Sequence, residues 1–400
     1  MEKVYIVAAK RSAIGAFNGG LSTVSAGKLG AEVAKDVLAT AGIAADRLDE
    51  VIVGNILPAG CGQGVARQVA IHAGVPVEIP AWGVSMACGS GMKAAMSAAA
   101  AIASGTGNLY LAGGTESMSL APYLIPGARQ GLRMGNKEII DHMVFDALTD
   151  AFDGNHMGIT AENIARKYGI SREEQDEFAI ASQQKAIRAV DTGAFAGEIT
   201  PIKIINRKEE IVFDTDEYPN RKTSLEKLAS LKPAFLKDGT VTAGNASGIN
   251  DGAAFLALAS ERAVADYSLT PLAEIVAWGQ GGVEPSVMGL GPVPAVRAAL
   301  KMAGLSLADM QRIELNEAFA AQSLGVIQLL SEEHGVPKET LLARANPNGG
   351  AIALGHPVGA SGARIIVTLL AGMRAANEAL GLASLCIGGG MGTAVILKTC

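Results

Sequence analysis

Four short stretches of this chain carry reactive or polar side chains that could do chemistry, three of them beside or within two residues of a glycine. Cys88 lies in Met86-Ala87-Cys88-Gly89-Ser90-Gly91-Met92-Lys93, between the apolar residues 82–84 and a helical pattern beginning near Ser90. A thiol at a strand-to-helix turn faces the helix N-terminus, where N–H groups and the helix dipole favour thiolate over thiol, and so nucleophilic attack. The glycines leave room for a carbonyl beside the sulfur. A buried cysteine also serves as small apolar filler. His356 lies in Gly349-Gly350-Ala351-Ile352-Ala353-Leu354-Gly355-His356-Pro357-Val358-Gly359, and the chain has only five histidines. Imidazole is the base a nucleophilic cysteine needs; the alternative is a loop histidine bonded to backbone. Cys386 opens Cys386-Ile387-Gly388-Gly389-Gly390. Asn316-Glu317-Ala318-Phe319-Ala320 follows the apolar residues 313–315, at the strand end where α/β sheets present ligand contacts, although asparagine also caps helices well. Two thiols and one histidine suggest a nucleophile and a separate base. A zinc site built from Cys88, Cys386 and His356 would lack any local pair spacing.

The elements that must hold these residues are those of an α/β protein. Of 400 residues, 49% are hydrophobic, 18% charged and 4% aromatic, which excludes disordered, collagenous and coiled-coil chains and suggests two or three domains. The net charge of −6 and pI near 5.5 argue against nucleic-acid binding. The best apolar run, 365–373, is bounded by Arg364 and Arg374, too short to span a membrane. The start, Met1-Glu2-Lys3-Val4, leaves no room for a signal peptide. Cysteines 61, 88, 386 and 400 form no C-x-x-C pair and read as reduced thiols of a cytoplasmic protein. Forty-nine glycines, well above the roughly 7% average, occur in clusters that suggest backbone closing on backbone or ligand. Gly89, Gly91, Gly355 and Gly388 are the candidates for closing around a substrate.

Strand-like runs at 4–8, 51–53, 109–112, 275–278, 313–315, 385–387 and 394–397 alternate with helical patterns at 31–41, 92–104, 161–168, 171–190, 296–303 and 363–376. This alternation predicts sheets covered on both faces. At an offset of 262 residues, Leu38, Ala41, Gly42, Ile43, Leu48, Val51 and Val53 align with Leu300, Ala303, Gly304, Leu305, Met310, Ile313 and Leu315. Cys88-Gly89-Ser90-Gly91 likewise matches Gly359-Ala360-Ser361-Gly362, and each is followed by a helix and then a strand ending in glycines. The chain therefore reads as two copies of one α/β unit. The expected division is residues 1–118 with 251–270 for the first half, 271–400 for the second, and an inserted segment, 119–250, decorating the first half without a sheet of its own. Gly60-Cys61-Gly62-Gln63-Gly64 resembles a dinucleotide turn, but its spacing departs from G-x-G-x-x-G and no acidic residue follows at the required distance.

Taken together, the motifs around Cys88, Asn316, His356 and Cys386 resemble the thiolase family, closest to its acetoacetyl-CoA thiolase (acetyl-CoA C-acetyltransferase) branch. The resemblance extends to Arg11-Ser12-Ala13-Ile14-Gly15 and His156-Met157-Gly158, and so covers essentially the whole chain. It implies a layered α/β/α/β/α fold of two duplicated halves with five-stranded mixed sheets, a coenzyme A-binding loop domain, and a homotetramer built as a dimer of dimers. The implied reaction is reversible condensation of two acetyl-CoA to acetoacetyl-CoA and CoA. Coenzyme A and acyl-CoA are then substrates, and no cofactor or metal is expected. By the same resemblance Cys88 carries the acyl group, His356 takes its proton, and Cys386 removes the α-proton of the second acetyl-CoA. Asn316 holds a water near the thioester oxygen, and the N–H groups of Cys88 and Gly388 form an oxyanion hole. Leu148, His156, Met157, Ala243, Ser247, Met288, Ala318 and Phe319 match positions lining the pantetheine and acyl pocket, and Arg221 and Lys222 are candidates for the coenzyme's phosphates. Ser85, Asn220 and Met391 stand where relatives often carry Asn, Arg and Gln. The competing readings are a longer-chain 3-ketoacyl-CoA thiolase, a β-ketoacyl synthase, a non-catalytic CoA-binding scaffold and a nicotinamide dehydrogenase.

Overall fold

The repeat at 262 residues is a repeat of backbone geometry. Helix Ala26–Ala41 ends at Gly42 in the left-handed conformation (φ 67°), and helix Pro292–Ala303 ends at Gly304 in the same way (φ 65°). Such a stop favours glycine because the side chain of any other residue strains it. A short 3-10 turn follows in each half, Ala45–Arg47 and Leu307–Asp309, and then a buried strand, Glu50–Gly54 and Arg312–Leu315. These positions come from a computed structural model describing residues 2–206 and 209–400.

The two sheets have matching strand orders. In the N-terminal half the order is Val4–Ser12, Asn250–Ser260, Leu109–Ser117, Glu50–Gly54, Ala81–Val84; in the C-terminal half it is Ala273–Gly282, Met391–Thr399, Leu380–Ile387, Arg312–Leu315. The expected fifth strand of the second half has shrunk to a single parallel bridge between Ile313 and Ala345. The halves join edge to edge where Tyr5 and Ile6 pair with Glu274 and Ala273. Strand Asn250–Ser260, buried at every position, and helix Ala320–His334 escape the sequence patterns. The first is Ala- and Leu-rich because both its faces are covered, and the second buries almost its whole N-terminal two-thirds, so neither shows amphipathic periodicity.

Between the sheets, helices Ser90–Ala103 and Val358–Ala376 pack against each other. The second is apolar and long enough to cross a membrane, but 83% of its best window is buried inside the protein. Their approach requires missing side chains: a Cβ at Gly91 would lie 2.9 Å from Gly359 O and Ala363 N, and one at Gly362 2.5 Å from Met92 N.

The chain leaves the first sheet after Ser117 and returns at Asn250, touching it in between where Ile199 and Thr200 pair with Arg11 and Ser12. This excursion carries two small antiparallel ribbons, Tyr123–Leu124 with Ile140–Asp141 and Ile202–Asn206 with Glu209–Phe213, where the sequence predicts no sheet. It also carries helices Met157–Tyr168 and Arg172–Asp191, the latter started by a Ser171/Glu174 capping box. It does not merely decorate the first half. Ala161, Ile164 and Ala165 are buried in the C-terminal core with Leu315 and Leu324, and Asn163 donates to Ser286 O at 2.9 Å.

Candidate active site

Cys88 follows an elbow between strand Ala81–Val84 and helix Ser90–Ala103. Ala87 takes a left-handed φ of 41°, rare for a residue with a side chain. Ser90 holds the turn, accepting from Met86 N–H (2.8 Å) and donating to Ala87 O (2.7 Å). The thiol is partly exposed. Burial pushes it up to about 11, against the opposing effect of the Gly388 and Cys88 N–H groups, which point to the sulfur. The expected thiolate bias of the helix N-terminus is therefore outweighed by desolvation, and the resting group is a neutral thiol.

His356 is buried and also neutral, held down to about 4 by burial and by the positive charge of Arg364. Its neighbours fix the tautomer. Ser361 Oγ donates to Pro357 O (2.9 Å) and therefore accepts from His356 Nδ1 (2.5 Å). The free lone pair is on Nε2, 3.4 Å from Asn316 Nδ2. The His356 N–H donates to Asn250 Oδ1 at 3.0 Å. Asn316 is anchored by its own N–H to Ser384 O (3.0 Å).

Cys386 ends strand Leu380–Ile387, fully buried and paired with Gly392. Burial raises its pKa first and the charge of nearby Cys88 second. Cys386 thus lies close enough to Cys88 to sense its charge, although it does not line the cavity shared by Cys88 and His356. Gly388 follows with ordinary φ, and a Cβ there would point at Met157 Sδ (3.6 Å) and Ala87 Cβ (3.9 Å). Of the four glycines expected to close around a substrate, only Gly388 faces the site. Gly91 serves the helix contact, Gly89 would collide with Ile387, and Gly355 (φ 105°) makes room for Asn250. The turn itself depends on Gly390 (φ 87°), whose Cβ would lie 2.2 Å from Val283 O.

Cys88 and His356 line one largely apolar cavity of about 470 Å³, together with Leu148, His156, Met157, Ala243, Ser247, Met288, Ala318 and Phe319. The His156 ring stacks on Phe235 (centroids 4.6 Å apart), which meets Phe319 edge-on. His156 also caps its helix, accepting from Gly158 N–H at 3.1 Å. Burial lowers its pKa. Tyr218 and Ala243 are shared with an adjoining, more open groove of about 580 Å³ that includes Asn220, Lys222 and Lys227. Arg221 lines neither space; it forms a two-pronged ion pair with Asp191, at 2.5 and 3.0 Å.

Several residues that shape the site carry no signal in the sequence reading. Phe235, Tyr218 and Phe17 line the cavity. Glu317 is buried and accepts from Ser182 Oγ (2.6 Å), Asn346 Nδ2 (2.8 Å) and Ile352 N–H (3.3 Å), tying down the loop that leads to His356. Burial raises its pKa. The sequence marks Glu317 only as part of the polar pair with Asn316 at a strand end, not in this anchoring role.

Comparison with known proteins matches residues 4–262 to the thiolase N-terminal domain and 269–399 to the thiolase C-terminal domain. An acetyl-CoA acetyltransferase of Pseudomonas aeruginosa is 54% identical over 398 residues, covering 99% of each chain. One of Escherichia coli is 51% identical over 399 residues, covering 100% of this chain and 99% of its own. Among solved structures, an acetyl-CoA acetyltransferase from Syntrophomonas wolfei superposes with a TM-score of 0.97 at 43% identity, covering both chains in full. Human mitochondrial 3-ketoacyl-CoA thiolase in complex with CoA superposes with a TM-score of 0.93 at 42% identity, covering 100% of this chain and 98% of that one.

Proposed function

The chain belongs to the thiolase family, and we propose that Cys88, His356 and Cys386 carry its reaction through an acyl-Cys88 intermediate. It is an acyltransferase, an acetyl-CoA C-acetyltransferase that interconverts two acetyl-CoA with acetoacetyl-CoA and CoA. One observation carries the site assignment: the Cys88 thiol shares one apolar cavity with His356, a neutral imidazole whose Nδ1–H is bonded to Ser361 and whose Nε2 lone pair is free.

With both groups neutral at rest, the proton moves only as the sulfur attacks. Cys88 Sγ bonds to the acetyl carbonyl carbon and its proton passes to His356 Nε2. The oxyanion lies against the two N–H groups, donors typically worth about 3–4 kcal/mol each. Collapse breaks the carbon–sulfur bond to CoA, and the departing sulfur takes the proton of Cys386. The Cys386 thiolate then removes the α-proton of a second acetyl-CoA, whose enolate oxygen is held by protonated His356 and a water on Asn316. The carbanion attacks acetyl-Cys88, its carbon–sulfur bond breaks, and Cys88 regains its proton from His356.

Buried Met157, Met288 and Phe319 on the cavity wall favour a short acyl chain over the longer-chain reading. The groove with Lys222 and Lys227 continues from Tyr218 and is suited to the coenzyme's phosphates; with Arg221 committed to Asp191, these lysines are the better candidates. A homotetramer is supported by exposed Leu120, Tyr123, Ile125, Leu132, Met134 and Ile139 on one excursion. Four free cysteines support a reducing, cytoplasmic setting. Mass spectrometry after mixing with acetyl-CoA should show one acetyl adduct, on Cys88, absent in Cys88→Ser. An unmodified Cys88 would leave the fold as a CoA-binding scaffold, and faster cleavage of a C10 than a C4 substrate would favour the longer-chain reading.

A further inference from the structure

Glu116 is fully buried near the end of strand Leu109–Ser117 and plays no part in the steps above. Its carboxylate meets two separate segments. In the N-terminal half it accepts from Asn55 Nδ2 (2.7 Å), Ile56 N–H (3.1 Å) and Leu57 N–H (3.2 Å). Across the interface it accepts from Gly359 N–H (2.9 Å), in the first turn of helix Val358–Ala376. That helix carries Ser361, the partner of His356 Nδ1. The contact is close-fitting: a Cβ on Gly359 would lie 2.4 Å from Glu116 Oε2.

We propose that Glu116 is a positioning residue that fastens the helix behind His356 to the half of the molecule that presents Cys88. Four donors converge on one carboxylate, three from the nucleophile's half and one from the base's half. Other buried carboxylates also cross between the halves, Glu198 through Arg11 and Thr368 of the same helix and Glu317 through Ser182 and Asn346, but Glu116 is the one among them whose partners adjoin the Cys88 side of the first sheet. The inference rests on the assignment of Cys88 and His356 as nucleophile and base.

The carboxylate must be ionised to accept all four bonds. Burial raises Glu116 to about 7, opposed by the N–H groups of Ile56, Leu57 and Gly359, with Asp251 on the facing strand adding to the rise. The other titratable groups that sense it are Cys88 and Cys61. An acid limb around neutrality is expected from protonation of Glu116, and because burial also raises Glu317 on the His356 loop, the shift of the limb in Asn55→Ala is what assigns it. The sign for folding is opposite. A carboxyl raised in the folded state binds its proton more tightly there than in the unfolded chain, so between about 4.3 and 7 its protonation favours the fold while weakening the clamp.

The test is thiolysis of acetoacetyl-CoA by Glu116→Gln and Asn55→Ala over pH 5–9, with thermal unfolding in parallel. Glu116→Gln puts an NH₂ where an acceptor is needed; kcat is expected to fall about 10²-fold, KM to change little, and the acid limb near neutrality to vanish. Asn55→Ala removes one donor to the ionised form, so the limb should move to higher pH with the fold intact. Glu116→Gln with the wild-type kcat and limb, or an unmoved limb in Asn55→Ala, would overturn the proposal. A wild-type enzyme without thiolysis would instead overturn the parent assignment of Cys88 and His356.

Discussion

Strand Ala81–Val84 feeds directly into the Cys88 elbow, whereas its counterpart in the other half is one bridge at Ala345, followed by a loop with left-handed turns at Asn346, Gly349 and Gly355. The two halves thus fix the proposed nucleophile and base by different means. Cys88 is set by backbone: a strand, an elbow strained at one residue, and a helix. His356 sits on a loop fixed by side-chain bonds, from Glu317 to Asn346 and Ile352, from Ser182 to Gly350, from Asn250 to the His356 N–H and from Ser361 to the ring. Duplication supplied a common frame, and loss of one strand freed a stretch of chain to carry a base. The freed loop then required buried polar groups, each of which costs stability unless fully bonded.

The division of labour is broken most severely at Cys386. Cys386→Ala removes the proposed α-proton acceptor and leaves Cys88, His356 and both oxyanion donors in place. Condensation should drop by about 10³-fold or more, of the order found when one member of a catalytic set is deleted. Slow acetylation of Cys88 by acetyl-CoA should persist, since only the proton for the leaving sulfur must then come from water. Mass spectrometry alongside steady-state rates checks both. Equal loss of both half-reactions would mean the two thiols do not divide the chemistry.

A smaller effect tests the tether. Ser361→Ala leaves His356 Nδ1–H without its acceptor and frees the ring to turn. A neutral hydrogen bond is worth about 1 kcal/mol, so kcat should fall roughly five- to tenfold while KM for CoA stays constant. Replacing Ser90, the elbow's own hydroxyl, should instead lower thermal stability, because it accepts from and donates to backbone alone. Kinetics and melting of the two variants side by side would show whether one half relies on side chains and the other on backbone.

Much of this frame can be read in the amino-acid pattern, since the 262-residue offset marks helix stops, turns and strands that coincide in space. The proposed catalytic residues come with the family resemblance; of the ten proposed binding residues eight line the cavity and Lys222 lines the adjoining groove. What escapes has a common cause. Strand Asn250–Ser260 and helix Ala320–His334 are apolar on nearly every side, so burial erases their period. Glu116 and Asn250 have no motif spacing, and the anchoring role of Glu317 is not legible in its motif, because each works through partners far away in sequence. Arg221 looks suited to a phosphate on charge alone, yet Asp191, thirty positions earlier, holds it.

That last pair sets the smallest prediction. The groove proposed for the coenzyme's phosphates is lined mainly by the excursion, and no equivalent excursion interrupts the second half. Lys227 is exposed and donates to Lys222 O at 2.7 Å, so its charge is held near the groove by a bond that leaves two further N–H donors free. An exposed ionic contact contributes about 0.2–1 kcal/mol, so Lys227→Ala should raise KM for CoA roughly two- to fourfold without changing kcat. The increase should shrink as salt screens the charge. Arg221→Ala should leave KM unchanged, because its guanidinium is already paired on two sides. A larger rise in KM for Arg221→Ala than for Lys227→Ala would mean that the coenzyme draws Arg221 away from Asp191 on binding.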